Sequence, residues 1–172
     1  MSIHSSDVVK TFSRESTLEL AAATGIIRHC LKQLNEEQLW WRPDGTMNSV
    51  GNLILHLCGN LRQWVISGVG GATDTRRRQQ EFDARGPIPA AELLSAIEAT
   101  TQAASEVLSR VTGEELLEER RIQSFTTTGL GAVIHSISHF RGHVQEIVHL
   151  SRTVLGSAYE FDFVPANTPP GD

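Results

Sequence analysis

The chain has 172 residues, 40% of them hydrophobic and 20% charged, a size and balance that suit one globular domain and argue against general disorder. Its formal net charge of −5 repels a phosphate backbone, so no nucleic-acid partner is expected. No apolar run approaches the roughly 20 residues a bilayer requires, the first ten residues hold no apolar signal region, and Cys30 and Cys58 both sit in apolar patterns, so a soluble, cytoplasmic protein with reduced thiols and no membrane partner is expected.

Hydrophobic periodicity predicts a first helix over about 8–34, with Val8, Phe12, Leu18, Ala22, Ile27 and Leu31 on its inner face. A loop over 35–45 follows, with Asn35 as a helix cap and an exposed Trp40–Trp41 pair. A second helix begins at Asn48 or Ser49 and runs to about Ser67, where Gly68, Gly70 and Gly71 end it. The stretch 68–89 is polar, charged and glycine-rich, and reads as a long mobile loop in which Arg76, Arg77 and Arg78 are solvated. Pro89 opens a third helix to about Arg110, with Ala91, Leu94, Ile97, Thr101, Ala104 and Leu108 facing inward. Thr112 starts a short turn with a capping-box pattern, and 120–131 is extended or looped. A fourth helix runs from about Leu130 to Leu155 and stops at Gly156. The tail 157–172 carries Phe161, Phe163, Pro165, Pro169 and Pro170, and its aromatics are expected to pack on the helices. Four long helices without a strand pattern imply an all-α four-helix bundle, one domain over 1–172, with the 68–89 loop long enough for a crossover.

The histidines carry the chemistry. His135, His139 and His143 recur every four residues. Each step advances about 400°, so all three rings leave one side of the helix. Two imidazoles one turn apart can meet one ion at metal–nitrogen distances of about 2.0–2.1 Å. The outer two of the three rise about 12 Å apart, so one of the three should stand outside the coordination shell. Glu146 lies on the same face, three residues beyond His143, placed to be a fourth ligand, a base, or a carboxylate that orients a histidine. A second helix must complete the site, and His56 is the candidate there. It flanks the apolar stripe of Leu53, Leu57, Leu61 and Trp64, between Asn52 and Asn60, and a polar pocket would explain all three polar groups. Cys58 is rotated about 200° away and is discounted as a ligand.

Two segments resemble a known family. The run Asn48-Ser-Val-Gly-Asn-Leu-Ile-Leu-His56-Leu-Cys-Gly-Asn-Leu-Arg-Gln-Trp64 is similar to the second-helix pattern of the DinB/YfiT-like superfamily. The run from Gly131 through His135, His139 and His143 to Ile147 is similar to that family's fourth-helix pattern, a histidine pair four apart. The loop Glu37-Gln-Leu-Trp-Trp-Arg-Pro43 also fits. The resemblance implies a four-helix bundle with a divalent ion, zinc or nickel, on His56, His139 and His143, and it leaves His135 outside the ligand set. It also implies thiol-dependent chemistry in relatives, and frequent dimers. The chain departs from the pattern at Gln145-Glu146, where the family usually has Gly-Gln, which puts a charge beside the metal.

The expected function is therefore a divalent-metal-dependent enzyme with an open three-histidine site. It would activate a water or a low-molecular-weight thiol toward a small-molecule substrate, with Glu146 or His135 moving the proton. The alternative is a metal-binding module without turnover. A homodimer through the Trp40–Trp41 loop or the aromatic tail is also expected.

Overall fold

Helix α1 spans Ser5–Gln33 in the computed structural model, which describes residues 4–162. Its buried stripe is Ser13, Ser16, Leu20, Ala23, Ile27, Cys30 and Leu31. Val8 and Leu18, expected inside, are 59% and 55% exposed, and Ala22 is exposed as well. The stripe uses small side chains in its first half, and hydropathy alone mistakes the bulkier neighbours for the inner face. Helix α2, Glu36–Trp40, is capped by Asn35, whose side chain accepts from the Gln38 amide. Trp40 does not form an exposed pair with Trp41. Its indole covers Gly51 and Gly86, and Nε1 donates to the Ile88 carbonyl at 3.2 Å.

Helix α3, Val50–Leu61, starts at the Ser49 cap, and every residue in it except Leu55 is buried. A helix enclosed on all sides is a core element, and each fully buried leucine contributes about 1.5–3 kcal/mol. Its last turn widens into a π-helical segment, Arg62–Ser67, in which the Gly68 amide donates to the Gln63 carbonyl at 2.9 Å.

The 68–89 segment is not a free loop. It contains helix α4, Arg78–Asp83, packed on α3. Asn52 Nδ2 donates to the carbonyls of Glu81 at 2.8 Å and Ala84 at 3.0 Å. Arg42 adds bonds to the same Ala84 carbonyl and to Asn52 Oδ1. The side chains of Asn52 and Arg42 thus satisfy the backbone carbonyls of this segment.

Helix α5, Ala90–Arg110, follows Pro89 and buries Leu93, Ile97, Thr101, Ala104 and Leu108. Thr101 and Thr24 of α1 share a hydroxyl bond of 3.1 Å. Helix α6, Gly113–Leu117, is capped by Thr112. The region read as extended or looped is a hairpin, β1 Glu119–Ile122 and β2 Phe125–Thr128, antiparallel with Glu119 opposite Thr128 and Ile122 opposite Phe125. Gln123 in its two-residue turn has φ 56°, as tight hairpin turns demand. Ile122 is buried, and Arg120 clamps the hairpin to the carbonyls of Gly68 and Val69. Strands of four residues with mostly exposed polar side chains carry almost no periodic signal.

Helix α7, Gly129–Leu155, begins at Thr128, whose hydroxyl accepts from the Gly131 amide at 3.1 Å, and ends at Gly156, φ 56°. Both α1 and α3 pack against α5 and α7. The chain is thus mostly helical, with one small two-stranded sheet among the described residues. No helix among them is long and apolar enough to cross a membrane. Of the tail aromatics, Tyr159 packs against the core and Phe161 is 59% exposed, while Phe163, Pro165, Pro169 and Pro170 lie outside the described residues.

Candidate metal centre

The register between α3 and α7 is set by a buried polar bond. Ser136 Oγ donates to Asn60 Oδ1 at 2.8 Å, and both groups are enclosed. Asn60 and Asn52 therefore do not line a common pocket with His56, as the sequence suggests. One holds α7 and the other holds the 81–84 backbone. The paired helices bring His56 of α3 against His139 and His143 of α7. One candidate donor nitrogen from each lies within 4.8 Å of the others, close enough to hold one metal ion.

The donor geometry fits such an ion. His56 Nε2 is 2.8 Å from His139 Nε2. The His56 ring stands nearly perpendicular to those of His139 and His143, with centroids 4.9 and 5.1 Å away. Two ligand nitrogens on one tetrahedral ion stand about 3.4 Å apart. The His56–His139 pair stands closer than that, and all the candidate atoms lie within 4.8 Å of one another.

Two carboxylates set the tautomers. Glu81 Oε2 stands 2.9 Å from His56 Nδ1 and Glu146 Oε2 stands 2.7 Å from His143 Nδ1. An ionised carboxylate only accepts, so each Nδ1 carries the proton and each Nε2 keeps a lone pair for a metal; Arg76 Nη2, 3.1 Å from the same His56 Nδ1, then directs its hydrogen to Glu81 Oε2 at 2.8 Å. Of the three roles open to Glu146 from sequence, this geometry matches the orienting one.

Glu81 is itself held. Arg76 Nε donates to Oε1 at 2.7 Å and Arg76 Nη2 to Oε2 at 2.8 Å, a bidentate pair with the guanidinium side chain only 3% exposed. Arg76 Nη1 donates to Gln63 Oε1. Burial alone would raise the Glu81 pKa, but the hydrogen bonds from Arg76 and His56 and their charges outweigh it and hold the carboxyl below its ordinary range. The carboxylate lies directly over Gly59, where a Cβ would collide with Oε1. Arg76 and Glu81 belong to the segment that the sequence presents as solvated. The one hint of them is indirect, since a buried ligand histidine needs an acceptor for its second nitrogen.

His139 is half-buried and has its pKa pushed down to about 4, first by burial and then by the neighbouring imidazoles of His143, His56 and His135 and by Arg76. It is neutral at pH 7, the form that binds metal. His135 is exposed and outside the three-histidine group. Its ring packs on Trp64 at 4.1 Å and lies nearly parallel to His139 at 5.9 Å. Phe125 of the hairpin touches Trp64, and Phe82 of α4 stacks 4.9 Å from His56, so aromatic rings border the cluster on two sides. Cys58 is buried and outside the group, its thiol pushed up to about 11 mainly by burial.

Residues 7–168 match the family described as "Protein of unknown function (DUF1572)". Among curated proteins, no sequence matches the chain. The fold is similar to a solved crystal structure of a conserved protein from Enterococcus faecalis, with a TM-score of 0.73 over 84% of this chain and 98% of that one. At 16% identity the likeness speaks for the fold alone.

Proposed function

Since the chain belongs to the DUF1572 family, we propose from its own residues that it is a divalent-metal-dependent enzyme activating a water or a low-molecular-weight thiol. One observation carries this reading. Three imidazoles from two helices bring donor nitrogens within 4.8 Å of one another, two of them oriented through Nδ1 by carboxylates. A three-histidine set leaves a position for a further ligand, the mark of catalytic rather than structural sites. Zinc or nickel suits such an imidazole set. The ion, when bound, supplies Lewis acidity that favours the anionic form of a water or thiol near neutral pH.

The remaining work falls to the chain. Glu81 and Glu146 hold His56 and His143 in the productive tautomer. His135, exposed beside His139, is placed to take up and return a proton at the rim. Phe82, half-buried beside His56, and the exposed Phe125 offer apolar surface near the cluster, which favours a small-molecule substrate with an apolar body. The same proposal takes the helices as a four-helix bundle of DinB/YfiT-like type, forming one domain over 1–172 with 157–172 as its tail. A cytoplasmic location and a homodimer belong to it too. Light scattering on the purified protein tests the dimer, for which Trp41, 39% exposed, remains available.

The test of turnover is a transfer and hydrolysis assay on zinc- and nickel-loaded protein. It pairs several small thiols with an aromatic electrophile, and includes an activated ester. Acceleration over free metal that disappears in His143→Ala supports the enzyme. No acceleration with any thiol, ester or metal makes the chain a metal-binding module instead.

A further inference from the structure

Arg76 and Glu81, but none of the three histidines, also line a cavity of about 500 Å³, walled by α3, the π-helical segment that follows it, the 72–77 segment, α4 and Ala96 of α5. Small-molecule sites usually span about 300–1,000 Å³. Leu55, Ile66 and Ala96 give it apolar surface. Its polar lining is rich in unused donors. Among the described residues, Arg62 and Arg77 make no ion pair and the Thr73 and Thr75 hydroxyls no hydrogen bond.

The two acids of the lining are engaged elsewhere. Asp74 accepts from Gln63 Nε2 at 2.7 Å and from the Arg76 amide at 2.9 Å. Glu81 is taken by Arg76 and His56. Three arginines against two carboxylates leave this lining at a formal +1, in a chain whose net charge is −5. Free guanidinium and hydroxyl donors around an apolar floor favour an anion carrying a hydrophobic body.

We infer that this cavity binds a small organic anion, a carboxylate or phosphate monoester with an apolar body, at a place separate from the three-histidine cluster. The anionic end meets Arg62 and Arg77, both exposed at the cavity, with Thr73 and Thr75 beside them. The body rests on Leu55, Ile66 and Ala96. The cavity and the histidines share one wall, because Glu81 lines the cavity and also holds His56 Nδ1. The inference stands on the cavity alone and survives or fails independently of the metal reading.

The probe is 8-anilinonaphthalene-1-sulfonate, an aromatic anion of suitable size, titrated by fluorescence into the metal-free full chain. Saturable binding of one probe per chain is expected, displaced by phenyl phosphate. Affinity should fall at least about tenfold in Arg62→Gln/Arg77→Gln, which loses two charged donors. It should fall similarly in Ala96→Trp, which fills the floor. A Lys10→Gln/Arg14→Gln control, at a separate surface depression, should leave it unchanged. Ala96→Trp tests the cavity only if its circular dichroism is native, whereas the arginine variant alters exposed side chains and decides the matter by itself. Absence of saturable binding, failure of phenyl phosphate to displace the probe, or wild-type affinity in the arginine variant overturns the inference.

Discussion

Replacing Glu81 by glutamine should damage stability and metal binding together, for separable reasons. The carboxylate takes three close contacts, from His56 Nδ1 at 2.9 Å and from Arg76 Nε and Nη2 at 2.7 and 2.8 Å. An amide leaves the Arg76 charge buried without a counter-charge, its side chain being 3% exposed. Breaking a buried pair in this way costs about 3–5 kcal/mol. For a domain of this size that is a fall in Tm of about 6–20 °C. Loss of the negative charge also weakens the hold on the His56 ring, since the amide oxygen accepts from Nδ1 less strongly and competes for Arg76, and such an outer partner is worth about 10–100-fold in metal affinity, or about 1.4–2.7 kcal/mol.

Thermal unfolding of the metal-free protein reads the first effect, and zinc competition against a chromophoric chelator reads the second. Arg76→Leu/Glu81→Leu separates them. Removing both charges should restore much of the stability. Zinc should nevertheless stay about 10–100-fold weaker, because His56 Nδ1 still lacks its acceptor. Wild-type zinc affinity in Glu81→Gln, or its recovery in the double variant, would refute the orienting role of this carboxylate.

Gly59→Ala places a methyl against Glu81 Oε1 and should displace the carboxylate, lowering stability by about 1–3 kcal/mol and weakening zinc binding in the same competition assay. Lowering pH should destabilise the metal-free protein. His139 titrates near 4 in the folded chain against an ordinary 6.5, so the unfolded chain takes up its proton first. Stability is then fully present above about pH 6.5 and declines toward pH 4, with Glu81, held below its ordinary 4.5, adding to the loss under that value. A urea midpoint that stays constant from pH 7.5 to 4.5 would contradict this. Cys30 and Cys58 are both buried and free, and burial raises both thiols, Cys58 to about 11. Ellman's reagent at pH 8 should therefore leave both unmodified until denaturant is added, and rapid reaction of two thiols in the native protein would contradict their burial.

The long helices were legible because hydrophobic spacing and end signals agree. The Ser49 cap, the Gly156 stop and the His139/His143 spacing all survive in the structure within a residue or two. What sequence could not show are polar groups whose partners are distant in the chain. Arg76 and Glu81 resemble any charged loop until α3 presents Gly59 and His56 to them. Asn60 looks like a neighbour of His56, whereas Ser136, 76 residues away, uses it to fix the helix register. The inner face of α1 was displaced for a related reason, since buried Ser13 and Ser16 carry no hydropathy signal. The hairpin was hidden because its strands are short and polar, and its docking rests on single residues, the buried Ile122, the Arg120 clamp, Phe125 against Trp64 and Gln123 against Gln63.

Elemental analysis of protein purified without a histidine tag, wild type beside His56→Ala and His143→Ala, tests the shared coordination point most directly. One divalent ion per wild-type chain, and little in either variant, is the expected result. A full complement of metal in both variants, or none in the wild type after incubation with zinc or nickel and desalting, would contradict it.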